Sequence, residues 1–241
     1  MIVDKEPFFK VRHADEYTFQ PGGEYKNYIR LRKRMGPRWK YYDYESNPIV
    51  TTINELGYRS KTVYPTEEYY IALGCSNTFG QYLHEEERYS NIIEKQTGIP
   101  VINLGICGGS AISVFTNICK LFYSNYPKPK AVFIQWPEQN RLSANGEQNI
   151  RLVNPHMPKK GVFDFFVKDN SLEVMSKFCY DMTHKICDVP IIEFAINNWV
   201  ANFYGVEEVV RGLDTARDNQ HCGEKTNNKM ASYILDRLKY A

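Results

Sequence analysis

The chain has 241 residues, with 30 Lys and Arg against 28 Asp and Glu, and is 43% hydrophobic and 24% charged. These proportions exclude a wholly disordered chain, and the length suits one core, which commonly runs to about 250 residues. No apolar run approaches the roughly 18 residues of a membrane helix, and Met1 to Lys10 carries no apolar signal-like stretch, so no membrane partner is expected and the expected compartment is the cytoplasm.

The small net charge hides two zones. Lys26, Arg30, Arg32, Lys33, Arg34, Arg38 and Lys40 place seven positive residues in fifteen, with no acid among them. Removing those seven leaves 23 positive residues against 28 negative ones in the rest of the chain. Ten of the 18 tyrosines also fall in the first 70 residues. The front is therefore basic and Tyr-rich, and the remainder is mildly acidic. The six cysteines form no CxxC pair and lack metal-ligand spacing, so reduced thiols and no zinc site are expected.

In chain order, residues 1–65 are punctuated by Gly22-Gly23, Gly36-Pro37, Asn47-Pro48 and Gly57 and show no long helical period. They predict an irregular extension with short strands, packed on the body because disordered segments are poor in aromatics. Tyr69 to Gly74 predicts a first buried strand, and Glu86 to Thr97 a helix with Ile92 and Ile93 inward. Pro100 to Ile106 predicts a second strand, Ser110 to Tyr123 a helix, and Ala131 to Trp136 a third strand. Residues 143–170 are polar and read as an inserted excursion. Ser171 heads a helix with Leu172, Met175, Cys179, Met182 and Ile186 inward. Val189 to Ile196 predicts a fourth strand, and Gly223 to Lys239 a closing helix. The alternation implies a parallel sheet covered on both faces, with residues 66–241 as the main domain. In such sheets ligands bind beyond the carboxyl ends of the strands.

Three motifs lie at those ends. The first is Gly74-Cys75-Ser76-Asn77-Thr78-Phe79-Gly80, whose glycines let Ser76 stand clear of the backbone. Ser76 can equally cap the following turn. The second is Asn103-Leu104-Gly105-Ile106-Cys107-Gly108-Gly109-Ser110, which suits an oxyanion hole or close strand–helix packing. The third is Asp218-Asn219-Gln220-His221. There the carboxylate can fix the imidazole, or Asp218 can cap the last helix.

Together, in this order, the motifs resemble those of the SGNH (GDSL-type) hydrolases. The resemblance implies Ser76 as nucleophile, Gly108 as oxyanion glycine, and Asp218 and His221 as the remaining triad members. Upstream, Asn54-Glu55-Leu56-Gly57-Tyr58-Arg59 resembles the N-x-x-G-[YF]-R segment of one subgroup. The resemblance covers roughly residues 54–136 and 186–240. It implies a three-layer α/β sandwich, SGNH- or flavodoxin-like, with a parallel sheet of about five strands. It also implies an ester hydrolase that needs no metal or organic cofactor and removes short acyl groups, notably acetyl, from a carbohydrate or small ester.

Two departures are visible. Cys75 stands where the family usually has Asp before the serine. The family's third block, GxND, is replaced by Gln135-Trp136-Pro137-Glu138-Gln139-Asn140-Arg141, where Asn140 or Gln139 is the candidate for the oxyanion amide. An O-acyltransferase on the same fold is one alternative, since the motifs do not separate transfer from hydrolysis; the altered third block motivates a second, a catalytically silent module binding glycan or nucleic acid through the basic segment 26–40. No nucleic-acid motif accompanies that segment, which argues for a solvated strand pair instead. Arg141 is expected to pair with Glu138, and His13, His84, His156 and His184 show no spacing that suggests chemistry.

Overall fold

The computed structural model describes residues 7–11, 29–30, 32–34, 48–61, 68–146, 149–153 and 170–240. After β1 (Lys10–Val11), the main body opens with β2 (Tyr70–Gly74), α1 (Ser76–Phe79) and α2 (Tyr89–Thr97). Then come β3 (Val101–Gly105), α3 (Ala111–Phe122) and β4 (Ala131–Gln135). A hairpin of β5 (Leu142–Gly146) and β6 (Asn149–Val153) follows. The chain continues with α4 (Ser171–Ile186), β7 (Ile191–Phe194), α5 (Asn198–Tyr204) and α6 (Glu224–Leu238).

The central sheet is parallel, in the order β3-β2-β4-β7. Ile71 pairs with Ile102 on one side and Val132 on the other, and Val132 pairs with Ile191. Every residue of β2, β3 and β4 is buried, as the unbroken apolar runs require when both faces are covered. On one face Ile71, Leu73 and Ile134 pack against Val114, Ile118 and Leu121 of α3 and Cys179 of α4. On the other, Tyr70, Ala72 and Phe133 pack against Ile93 of α2 and Met230 and Ile234 of α6. The result is a three-layer α/β sandwich.

The structure amends the sequence reading in four places. Among the described residues the parallel sheet has four strands where about five are expected; a parallel bridge, Ala195 to Val209, lies beyond the end of β7. The excursion at 143–170 begins as the β5–β6 hairpin, whose β6 pairs in parallel with β1; residues 154–169 lie outside the described set. Helix α5 was not foreseen. Finally, Arg30, Arg32, Lys33 and Arg34 are exposed on a helical turn rather than a strand, and the rest of the basic run lies outside the described residues.

Phe8, Val11, Leu56 and Tyr58 are buried in the same core cluster as the sheet. Tyr58 OH donates to Asn117 Oδ1 of α3 at 3.1 Å, and Phe9 N–H donates to the same oxygen. Among the described residues no helix is long and apolar enough to cross a membrane.

Candidate active site

The candidate residues gather at the carboxyl end of β2, between β3 and β4, the kind of switch point beside which open α/β sheets bind ligands. Cys75 leaves β2 in extended conformation, and Ser76 is the first residue of the four-residue α1. Gly80 stops α1 in a left-handed conformation and returns its N–H to Ser76 O at 3.0 Å. So short a helix is fixed by its surroundings rather than by propensity. Asn103 Nδ2 donates to Thr78 O at 2.7 Å, while Asn103 Oδ1 accepts from Gly105 N–H. A Cβ at Gly105 would lie 2.3 Å from Phe79 N, so only glycine lets α1 rest directly on β3. Ser76 itself is 7% exposed.

Gly108 has φ 74°, a conformation glycine adopts without strain, and is part-exposed in the turn before α3. Gly109 N–H closes that turn onto Ile106 O at 2.8 Å. Ser110 and Ser113 then cap α3 reciprocally.

Asp218 is 1% exposed. Its Oδ2 meets His221 Nδ1 in a very short contact, and its Oδ1 accepts from the N–H groups of Gln220 and His221 at 3.1 and 3.0 Å. Burial pushes the Asp218 carboxyl up, but the imidazole and these backbone donors outweigh it, so its pKa lies below the usual carboxylate value. Cys222 N–H donates to Asn77 Oδ1 at 3.0 Å, so the neighbours of His221 and Ser76 touch. Among the described residues no hydrogen bond joins Ser76 Oγ to His221. Such bonds often tighten only when substrate is present.

Position 75 is occupied by a buried thiol that donates to Gln135 Oε1 at 3.1 Å. Gln135 also accepts from Thr78 Oγ1 and donates to Trp136 O, so the thiol joins a network at the end of β4. Beyond it, Arg141 is held by Glu138 through Nε and a terminal nitrogen, at 3.0 and 2.8 Å. Gln139 is buried, and its backbone O accepts from Ser176 Oγ. Gln139 Oε1 and Asn140 Oδ1 are both buried without a hydrogen-bond partner among the described residues. Half a turn of either amide exchanges that oxygen for its NH₂ without changing shape.

Three contributors lie outside the motif residues the sequence assigned to chemistry. Arg59 donates to Gly80 O at 2.5 Å and Leu83 O at 2.8 Å, clamping the loop after α1. Tyr82, at φ 60°, sets its ring 6.4 Å from that of His221. Glu87 forms a two-pronged ion pair with Arg217, beside Asp218. The first was visible in sequence as the last residue of the Asn54–Arg59 segment; the other two join residues too far apart to read. Among the described residues no group of three or more His, Cys, Asp or Glu is gathered closely enough to hold a metal ion.

No family model matches the sequence, and no curated protein matches it. Solved structures are similar at low identity. A member of the lipolytic protein G-D-S-L family from Veillonella parvula DSM 2008 matches at 12% identity and TM-score 0.45, over 70% of this chain and 97% of that one. A carbohydrate esterase matches at 11% identity and TM-score 0.49, over 75% and 67%. The psychrotrophic esterase EstA from Pseudoalteromonas sp. matches at 12% identity and TM-score 0.42, over 73% and 98%.

Proposed function

We propose that this chain is a serine ester hydrolase of the SGNH type. The observation that carries the reading is the buried Asp218 carboxylate, bonded to the His221 ring and to two backbone N–H groups, on a loop fastened to the residue after Ser76. A carboxylate so held fixes the imidazole tautomer and stabilises the imidazolium that forms during catalysis.

In this reading Ser76 Oγ attacks the ester carbonyl and His221 Nε2 takes its proton. The N–H groups of Ser76 and Gly108, with the Asn140 amide turned toward the site, hold the oxyanion. His221 then protonates the departing alcohol. Water, deprotonated by His221, attacks the acyl-enzyme and frees the acid and Ser76. No metal or organic cofactor takes part. The substrate class is short acyl esters, acetyl above all, on a carbohydrate or small alcohol; it follows from the motif resemblance.

The test is hydrolysis of an aryl acetate by the wild type and Ser76→Ala, with labelling by a serine-directed phosphonate. Hydrolysis lost in Ser76→Ala, and a phosphonate adduct on Ser76, are expected. Equal rates for the two proteins would sink the enzyme reading.

A further inference from the structure

We infer that the Glu87–Arg217 ion pair is a positioning device that sets the Asp218–His221 loop over Ser76. The inference rests on the proposed hydrolase reading for its catalytic consequence, and on geometry alone for its structural one.

The loop fixes its own shape. Ala216 N–H donates to His221 O at 2.8 Å, Asn219 N–H to Ala216 O at 2.9 Å, and Gly223 N–H to Asp214 O at 3.1 Å. Thr215 Oγ1 donates to Asn219 Oδ1, and Thr215 bridges Cys222. These bonds, with those to Asp218, hold the carboxylate against the imidazole. None of them says where the pair sits relative to Ser76. Contacts with residues 77–88, which follow the serine, bear on that placement. Cys222 N–H meets Asn77 near one end of the loop. The Tyr82 ring lies beside His221, and Arg217 meets Glu87 beside Asp218. Contacts separated along the loop fix its orientation more firmly than any one of them.

The Glu87 anchor is itself tied to the nucleophile's helix. Glu87 Oε2 also accepts from His84 N–H at 2.8 Å within a short 3₁₀ turn, Glu85–Glu87. Arg88, the next residue, donates to Arg59 O at 2.7 Å, and Arg59 donates to Gly80 O, which adjoins the end of α1. A continuous line of bonds thus runs from Ser76 through Gly80, Arg59, Arg88 and Glu87 to Arg217 and Asp218. Arg217 and Glu87 are 18% and 11% exposed, and the two terminal guanidinium nitrogens each donate to a different carboxylate oxygen. Two-pronged, shielded pairs of this kind fix direction as well as distance, unlike single surface pairs. Displacements of about 1 Å can cost on the order of a hundredfold in rate. Glu87 and Arg217 are therefore positioning residues.

The experiment compares the wild type with Glu87→Gln, Arg217→Lys, Glu87→Arg, Arg217→Glu and the reversed pair Glu87→Arg/Arg217→Glu. Two readouts are taken: kcat and KM on an aryl acetate, and hydrogen exchange of the loop amides. In Glu87→Gln, kcat is expected to fall about ten- to a hundredfold with KM within about twofold. The Gln220 and His221 amides are expected to exchange about tenfold faster, while β2 amides keep their protection. The reversed pair is expected to recover kcat above either reversed single variant. Wild-type kcat and loop exchange in Glu87→Gln would overturn the inference, as would a reversed pair no better than its singles. Failure of the hydrolase reading shows separately, as wild-type hydrolysis absent or surviving Ser76→Ala. In that case loop exchange still decides whether the ion pair positions the loop.

Discussion

Burial alone would drive the Asp218 carboxyl toward its protonated form; the imidazole and two backbone N–H groups reverse that direction. An Asn at 218 keeps one acceptor for the backbone donors and loses the charge. Asp218→Asn should therefore fold like the wild type and lose on the order of 10³–10⁴ in kcat. Thermal unfolding beside steady-state kinetics checks both halves, and full activity would remove the carboxylate from the mechanism. The same contrast bears on the thiols. Burial pushes Cys222 up to about 12, so it stays a neutral thiol beside His221. Asp218 and His221 were legible in the sequence because a three-residue turn is local. The Glu87 and Arg217 partnership was not, since 130 residues separate them. The register of Gln139 and Asn140 stayed ambiguous because Pro137 ends the strand period before either residue is reached.

Between elements, α4 and β7 are joined by a charged network. Glu193 of β7 accepts from Trp136 Nε1 at 2.7 Å and Tyr180 OH at 3.1 Å, and pairs with His184 Nε2 at 3.2 Å. His184 Nδ1 faces Tyr180 O at 2.9 Å, so both ring nitrogens address acceptors and only the charged imidazolium can donate to both. The hydrogen bond to Glu193 raises the His184 pKa above its usual 6.5. Burial pushes Glu193 up, but its donors outweigh burial and hold it below its usual 4.5. The His184 contribution is present below 6.5 and lost as pH rises through the raised value. The Glu193 contribution is present above 4.5 and lost as pH falls through the lowered one. The pair thus stabilises most between those two values. Replacing His184 by Gln should lower the thermal midpoint more at about pH 5.5 than at about pH 9. An equal deficit at both would show that charge plays no part. His184 has no suggestive spacing in the sequence, because its partner lies on another layer. The four strands were legible as apolar runs buried on both faces. Helix α5 escaped because seven residues, NWVANFY, span too few turns to show a period; the Asn197 cap and Gly205 stop were its only marks. The β5–β6 hairpin escaped because its sequence reads as polar loop.

Across the whole molecule, the front segment and the α/β body share a core. Phe8 and Tyr58 are fully buried, Val11 N–H donates to Leu56 O at 2.7 Å, and Arg59 reaches the loop after α1. Truncating one large buried aromatic side chain commonly costs about 3–5 kcal/mol. Removal of residues 1–50 should accordingly lower the thermal midpoint and reduce hydrolysis. A stable, fully active remainder would mark the front as an independent appendage. The uneven charge in the sequence pointed to a distinct front zone, but not to Phe8 as part of the core, since a lone apolar pair near a terminus carries no period.

The bond from Cys222 to Asn77 spans 145 positions of sequence. On a ribosome adding roughly 5–20 residues each second, Ser76 emerges about 7–30 s before its base. Under the proposed function the growing chain is inert toward esters throughout that interval. The β2 scaffold can pair with β3 and β4 as they appear, while reactivity arrives in one late step, when the segment bearing Asp218 and His221 docks.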